Sequence, residues 1–174
     1  MPVKNRCKNT FKNHLQHGST MIEVLVALLI FSFGLLGMAA LQSSSIVANQ
    51  SAYFRTQAIS YANDMADRMR ANIRGVTSSS YDDVTGTSTG SCYTASNCTP
   101  AQMAANDVFE WNAAIAAALP GGAAVVCLDS SPDDGTPALT GCSGGGDIYA
   151  VKVWWDDDRD GTAEQRVVLE LSPE

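Results

Sequence analysis

Histidine is nearly missing from this chain of 174 residues: His14 and His17 are the two it has, and both precede Gly18. With no imidazole farther along, a nucleophilic triad would lack its usual base. Gly141-Cys142-Ser143-Gly144-Gly145 formally matches the G-x-S-x-G elbow, but it therefore reads as a flexible loop carrying a cysteine. Gly144-Gly145-Gly146 lacks the Lys-Ser/Thr pair of a phosphate loop, and no cofactor motif replaces it. Proline is absent between Pro2 and Pro100, so nothing of that kind breaks a helix there. Basic residues are scarce as well. There are eleven against eighteen acids, and four of the eleven precede Gly18, which leaves seven bases, eighteen acids and a side-chain charge of minus 11 beyond it. No basic stripe can neutralise a phosphate backbone, which argues against nucleic acid as a partner. No C-x-x-C pair occurs, and the spacing of the five cysteines does not suit zinc.

Against these absences stands one long apolar run, Met21 to Leu41, whose only charge is Glu23. At about 1.5 Å per helical residue it matches the roughly 30 Å hydrocarbon core of a bilayer. Lys4, Arg6, Lys8 and Lys12 precede it and no acid does, so the positive-inside rule places the N-terminus in the cytoplasm and the rest outside. A charged side chain in a membrane costs roughly 2.5 to 3.5 kcal/mol on insertion scales, so Glu23 calls for a partner. An ordinary secretory signal, with Gly37-Met38-Ala39 as its cleavage site, is one alternative, although the run is longer than such a signal needs. A plain anchor, with Glu23 near the headgroups and the positive end of the helix dipole, is another.

Gly18 before Ser19, with a glutamate at the fifth position after a cut between them, resembles the type III signal of type IV prepilins. The resemblance implies that a membrane peptidase cleaves after Gly18 and methylates Ser19 as the new N-terminus. It also implies that Glu23 meets the N-terminal amine of a neighbouring subunit during assembly. Serine departs from the phenylalanine commoner at the first mature position. The absence of proline extends the expected helix from Thr20 to Arg74, about 80 Å at 1.5 Å per residue. Its second half is amphipathic, with Ile59, Ala62, Ala66, Met69 and Ile73 as the apolar stripe. Glu23-Val24-Leu25-Val26-Ala27-Leu28 and Asp64-Met65-Ala66-Asp67-Arg68-Met69-Arg70-Ala71-Asn72 are similar to the PilV type of minor type IV pilin. The first stretch is shared with minor pseudopilins of type II secretion.

Past Gly75, a Ser/Thr/Gly/Asp-rich stretch to Cys98 reads as a long surface loop and candidate partner surface. Thr99-Pro100-Ala101-Gln102 is a capping box with proline at the first helical position, and it predicts a second helix. That helix buries Ala104, Val108, Trp111, Ile115 and Leu119 and stops at Pro120-Gly121-Gly122. Three strands are predicted, at 123–128, 148–155 and 164–171, and the last two each have one apolar face. Cys7 lies before Gly18, which leaves Cys92, Cys98, Cys127 and Cys142. Outside the cytoplasm these favour two disulfides, and of three connectivities the local pairs 92 with 98 and 127 with 142 are expected. Asp156, Asp158 and Asp160 with Gly161 match half an EF-hand loop, but Val167 stands where the bidentate glutamate belongs. A hairpin turn is the better reading, and a weak calcium site involving Glu164 is the lesser one.

The expected fold is α+β and type IV pilin-like: a long N-terminal helix, membrane-spanning in its first half, packed on a small antiparallel sheet with one extra helix and disulfide-bearing loops. The expected divisions are a leader at 1–18, an assembly segment at 19–42 and a soluble domain at 43–174. By resemblance the chain is a non-enzymatic inner-membrane precursor that passes to the periplasm and an extracellular pilus. Its partners would be other minor pilins, the major pilin, the prepilin peptidase and a tip adhesin, with roles in pilus assembly, adhesion and twitching motility. A type II secretion pseudopilin, or a ligand-binding adhesin domain on a pilin stalk using 75–98 or 129–147, are the alternatives.

Overall fold

The computed structural model describes residues 20–94 and 98–172. Helix α1 spans Met21–Ala71, α2 spans Ile73–Thr77, a 3-10 turn covers Gly90–Tyr93, and α3 spans Pro100–Ala118. Strands β1 (Ala123–Leu128), β2 (Tyr149–Trp155) and β3 (Gln165–Leu171) follow. The chain forms two compact units divided between Ser45 and Ile46, a boundary that falls within α1.

In the first unit, α1 begins where the Thr20 carbonyl accepts the amides of Glu23 and Val24. Every residue from Thr20 to Gln50 is exposed. Among the described residues nothing covers this apolar surface. By length and composition the helix can cross a bilayer.

The second unit has its own core. Phe54, Ala58, Ala62, Met65, Ala66 and Met69 form the buried stripe of α1. This corrects the expected stripe, because Ile59 and Ile73 are 43% and 47% exposed. Three alanines in the stripe allow close approach, and the bulk comes from Phe54 and the two methionines. The expected single helix to Arg74 is also corrected: α1 ends at Ala71, and Asn72 leaves helical geometry at φ −112°, ψ 53°. The Asn72 side chain then accepts the Gly75 amide, which caps α2.

Helix α3 starts on the expected capping box, with the Thr99 hydroxyl accepting the Gln102 amide and the Gln102 side chain accepting the Thr99 amide. Ala104, Val108, Trp111, Ile115 and Leu119 are all buried. Trp111 also donates its indole N–H to the Tyr61 carbonyl of α1 at 2.8 Å.

The sheet is antiparallel in the order β1-β2-β3. Val126, Val151 and Leu169 form one row across it, and Ala124, Val153 and Val167 another; this face joins the helices in the core. The opposite face carries the rows Cys127-Ala150-Glu170, Val125-Lys152-Val168 and Ala123-Trp154-Arg166. Contrary to the alternation expected of β2, all seven of its residues are buried. The outer face is covered because the segment between β1 and β2 folds back over it.

Candidate functional site

Three constellations carry the residues singled out by sequence. The first is the start of α1. Glu23 lies in its first turn, where the helix dipole favours a carboxylate. Among the described residues Glu23 has no cationic partner. Gly18 and Ser19 lie outside the described residues.

The second constellation explains the Asp64–Asn72 stretch physically. Arg68 donates to Asp64 at 3.0 Å on its own helix, and to Asp107 at 3.4 Å and Glu110 at 3.0 Å on α3. Asp107 accepts the Tyr81 hydroxyl at 2.6 Å, and Asn72 donates to Tyr81 at 3.2 Å and to the Pro100 carbonyl at 2.8 Å. Burial first, then the bond to Asp107, pushes the Tyr81 phenol well above its ordinary value, so it is held as a neutral donor. Hydrogen bonds from Tyr93 and Arg68 hold Glu110 below its ordinary value. The described part of this stretch, 75–94, is therefore better anchored than a solvated loop. Tyr81 is fully buried, the Thr89 amide donates to the buried Asn106 side chain, and the Thr87 amide donates to the Ala105 carbonyl. Gly86 lies so close to α3 that a Cβ would stand 2.5 Å from the Phe109 amide nitrogen.

The third constellation is the outer-face clamp. Disulfides join Cys92 to Cys98 and Cys127 to Cys142. Cys127 points from the outer row of β1, so its bond draws the 129–147 segment across the sheet. Lys152, with no exposed surface, pairs with Asp129 at 2.6 Å and Asp134 at 3.0 Å and donates to the carbonyls of Asp134 and Thr140. Arg166 adds the carbonyls of Gly135 and Asp133 and the Asp133 carboxylate. Desolvation raises the Asp129 carboxyl, but the Lys152 bond, the Ser131 amide and the charge of Lys152 together hold it below its ordinary value. The hydrogen bond from Lys152 lowers Asp134 as well. Strand alternation puts Lys152 on the face opposite the core, with Ala150 and Trp154. The signal that alternation passes over is a lone lysine in an otherwise apolar strand, next to a loop carrying Asp129, Asp133 and Asp134.

Asp156, Asp158 and Asp160 present carboxylate oxygens within 4.8 Å of one another in the β2–β3 turn. Asp156 accepts the Arg159 and Gly161 amides, Asp158 the Asp160 amide, and Asp160 the Thr162 amide. These bonds shape the turn between β2 and β3, where Arg159 and Gly161 take φ of +62° and +97°.

Residues 13–39 match the family model described as the prokaryotic N-terminal methylation motif. Residues 40–109 match the model described as type IV pilin Tt1218, a span that runs from the middle of α1 through α2 into the first half of α3. No curated protein and no solved structure matches the chain at a significant level.

Proposed function

We propose that this chain, a type IV pilin with a prepilin-type N-terminal methylation motif, is a PilV-like minor pilin that helps to prime pilus assembly, near the filament tip. The observation that carries this reading is the first unit: an apolar helix exposed on every side, whose one acid, Glu23, sits in its first turn within the matched motif. The motif and helix fit a single-pass inner-membrane precursor. In this reading, residues 1–18 form a leader cut after Gly18, Ser19 is methylated, and 19–42 is the membrane and assembly segment. Residues 43–174 then face outward. An unpaired carboxylate in lipid costs roughly 2.5 to 3.5 kcal/mol, and pairing Glu23 with the N-terminal amine of an adjacent subunit relieves that cost only in the assembled filament. The exposed helix face supplies the apolar contact.

The partners are other minor pilins, the major pilin, the processing peptidase and a tip adhesin, and the cellular outcome is adhesion and twitching motility. Deleting the gene tests the choice of machine. Loss of surface pili and twitching is expected. Loss of exoprotein export with pili intact would instead assign the chain to a type II secretion pseudopilus, which shares the same helix signature. Receptor binding with normal piliation would assign the outer domain to an adhesin.

A further inference from the structure

On the sheet's outer face, between the 129–147 segment and the β2–β3 turn, lies a hollow of about 480 Å³, far from the matched motif in sequence. Pro137, Ala138, Trp154, Ala163, Glu164 and Arg166 supply its principal walls. Trp154 is 2% exposed and forms the floor of the hollow. The largely apolar walls call for an aliphatic side chain.

The charge around the hollow selects further. Arg166 is engaged by Asp133 and by two backbone carbonyls. A smaller adjoining depression shares Thr162 and Glu164 with the hollow and adds Asp157 and Asp158. Against these acids stands Arg159 in the same turn, so the rim is negative on balance. The walls are also preorganised: Lys152 and Arg166 fix the covering segment, and the Thr136 and Leu139 backbones bond to each other in both directions at the Pro137-Ala138 tip. Rigid walls lower the ordering cost of binding. From these features we infer that the hollow docks an extended segment of a partner protein that presents an aliphatic side chain flanked by lysine or arginine. A second copy is disfavoured by charge, since the sequence carries seven bases against eighteen acids after Gly18.

The test is a titration of the full chain, in detergent micelles with indole-¹⁵N tryptophan, with the probe acetyl-Lys-Leu-Lys-amide. The Trp154 indole signal is assigned by its loss in Trp154→Phe. A saturable shift of that signal is expected, with the Trp111 signal, which is bonded to the Tyr61 carbonyl away from the hollow, stationary. The shift should be at least tenfold smaller with acetyl-Glu-Leu-Glu-amide at equal concentration. Filling the hollow from either wall, by Ala163→Phe or Ala138→Phe, should abolish it; an unmoved Trp111 signal certifies the fold of each variant. An unmoved Trp154 signal, or equal shifts with both peptides, overturns the inference. A shift that follows protein concentration without peptide overturns it too, by making a second copy the occupant.

Discussion

Lys152 shows what a single side chain does here. Removing an ammonium from water costs several kcal/mol, and the cost is offset only by good geometry and full hydrogen bonding: the Asp134 carboxylate and the carbonyls of Asp134 and Thr140 take the three donors, and Asp129 adds a close opposite charge. Lys152→Met should destabilise the second unit by about 3 to 5 kcal/mol, because it strands the buried Asp129 charge. The double variant Lys152→Met/Asp129→Leu should recover much of that loss. Urea denaturation of both variants checks the pair, and equal stability of the single and double variants would remove Asp129 from the account. Acid should act on the same clamp and on the Arg68 network. Asp129, Asp134 and Glu110 have folded values below their ordinary ones, so the stability they contribute is fully present above the ordinary carboxylate range. It falls as pH drops below about 4 through the depressed folded values. Melting temperature measured from pH 7 down to pH 3 should be flat at first and then decline. A decline already complete by pH 5 would contradict this assignment.

Elements differ in how openly the sequence announces them. Helix α3 is legible because its signals are local: Thr99, Pro100 and Gln102 cap it, and its buried residues recur at helical spacing. Thr99→Ala should cost about 1 kcal/mol, read by thermal melting, through loss of the capping acceptor. The strands are legible for the same reason, from alternation bounded by glycine and aspartate. The end of α1 is not, since Asn72 stops the helix through bonds to Tyr81 and Pro100, distant partners that no local pattern shows. The covering segment is the least legible element, because glycine and serine hide the fact that two cations and a disulfide hold it in place. Breaking that disulfide by Cys127→Ala/Cys142→Ala opens a loop with a sequence separation of 15 residues and should cost about 3 kcal/mol. The lysine clamp should still keep the segment on the sheet, and protection of the Gly144 amide, bonded to the Leu128 carbonyl, from hydrogen exchange would show it.

At the scale of the whole molecule, the two units answer to different environments. The second unit buries a core of aromatic, methionine and branched side chains between helices and sheet. The first unit leaves its apolar surface uncovered, and in the proposed reading lipid or other subunits cover it. The sequence shows that division plainly, as an apolar run with one acid. The machine it serves is harder to read, because assembly contacts are made with other chains and leave no pattern within this one. Processing at the junction is the central claim, and mass spectrometry of the N-terminal peptide from protein recovered from its native membrane tests it most directly. The account predicts a chain beginning at Ser19 and carrying a methyl group on its amine. A chain beginning near Ala40, or one retaining Met1 and the leader, would contradict it.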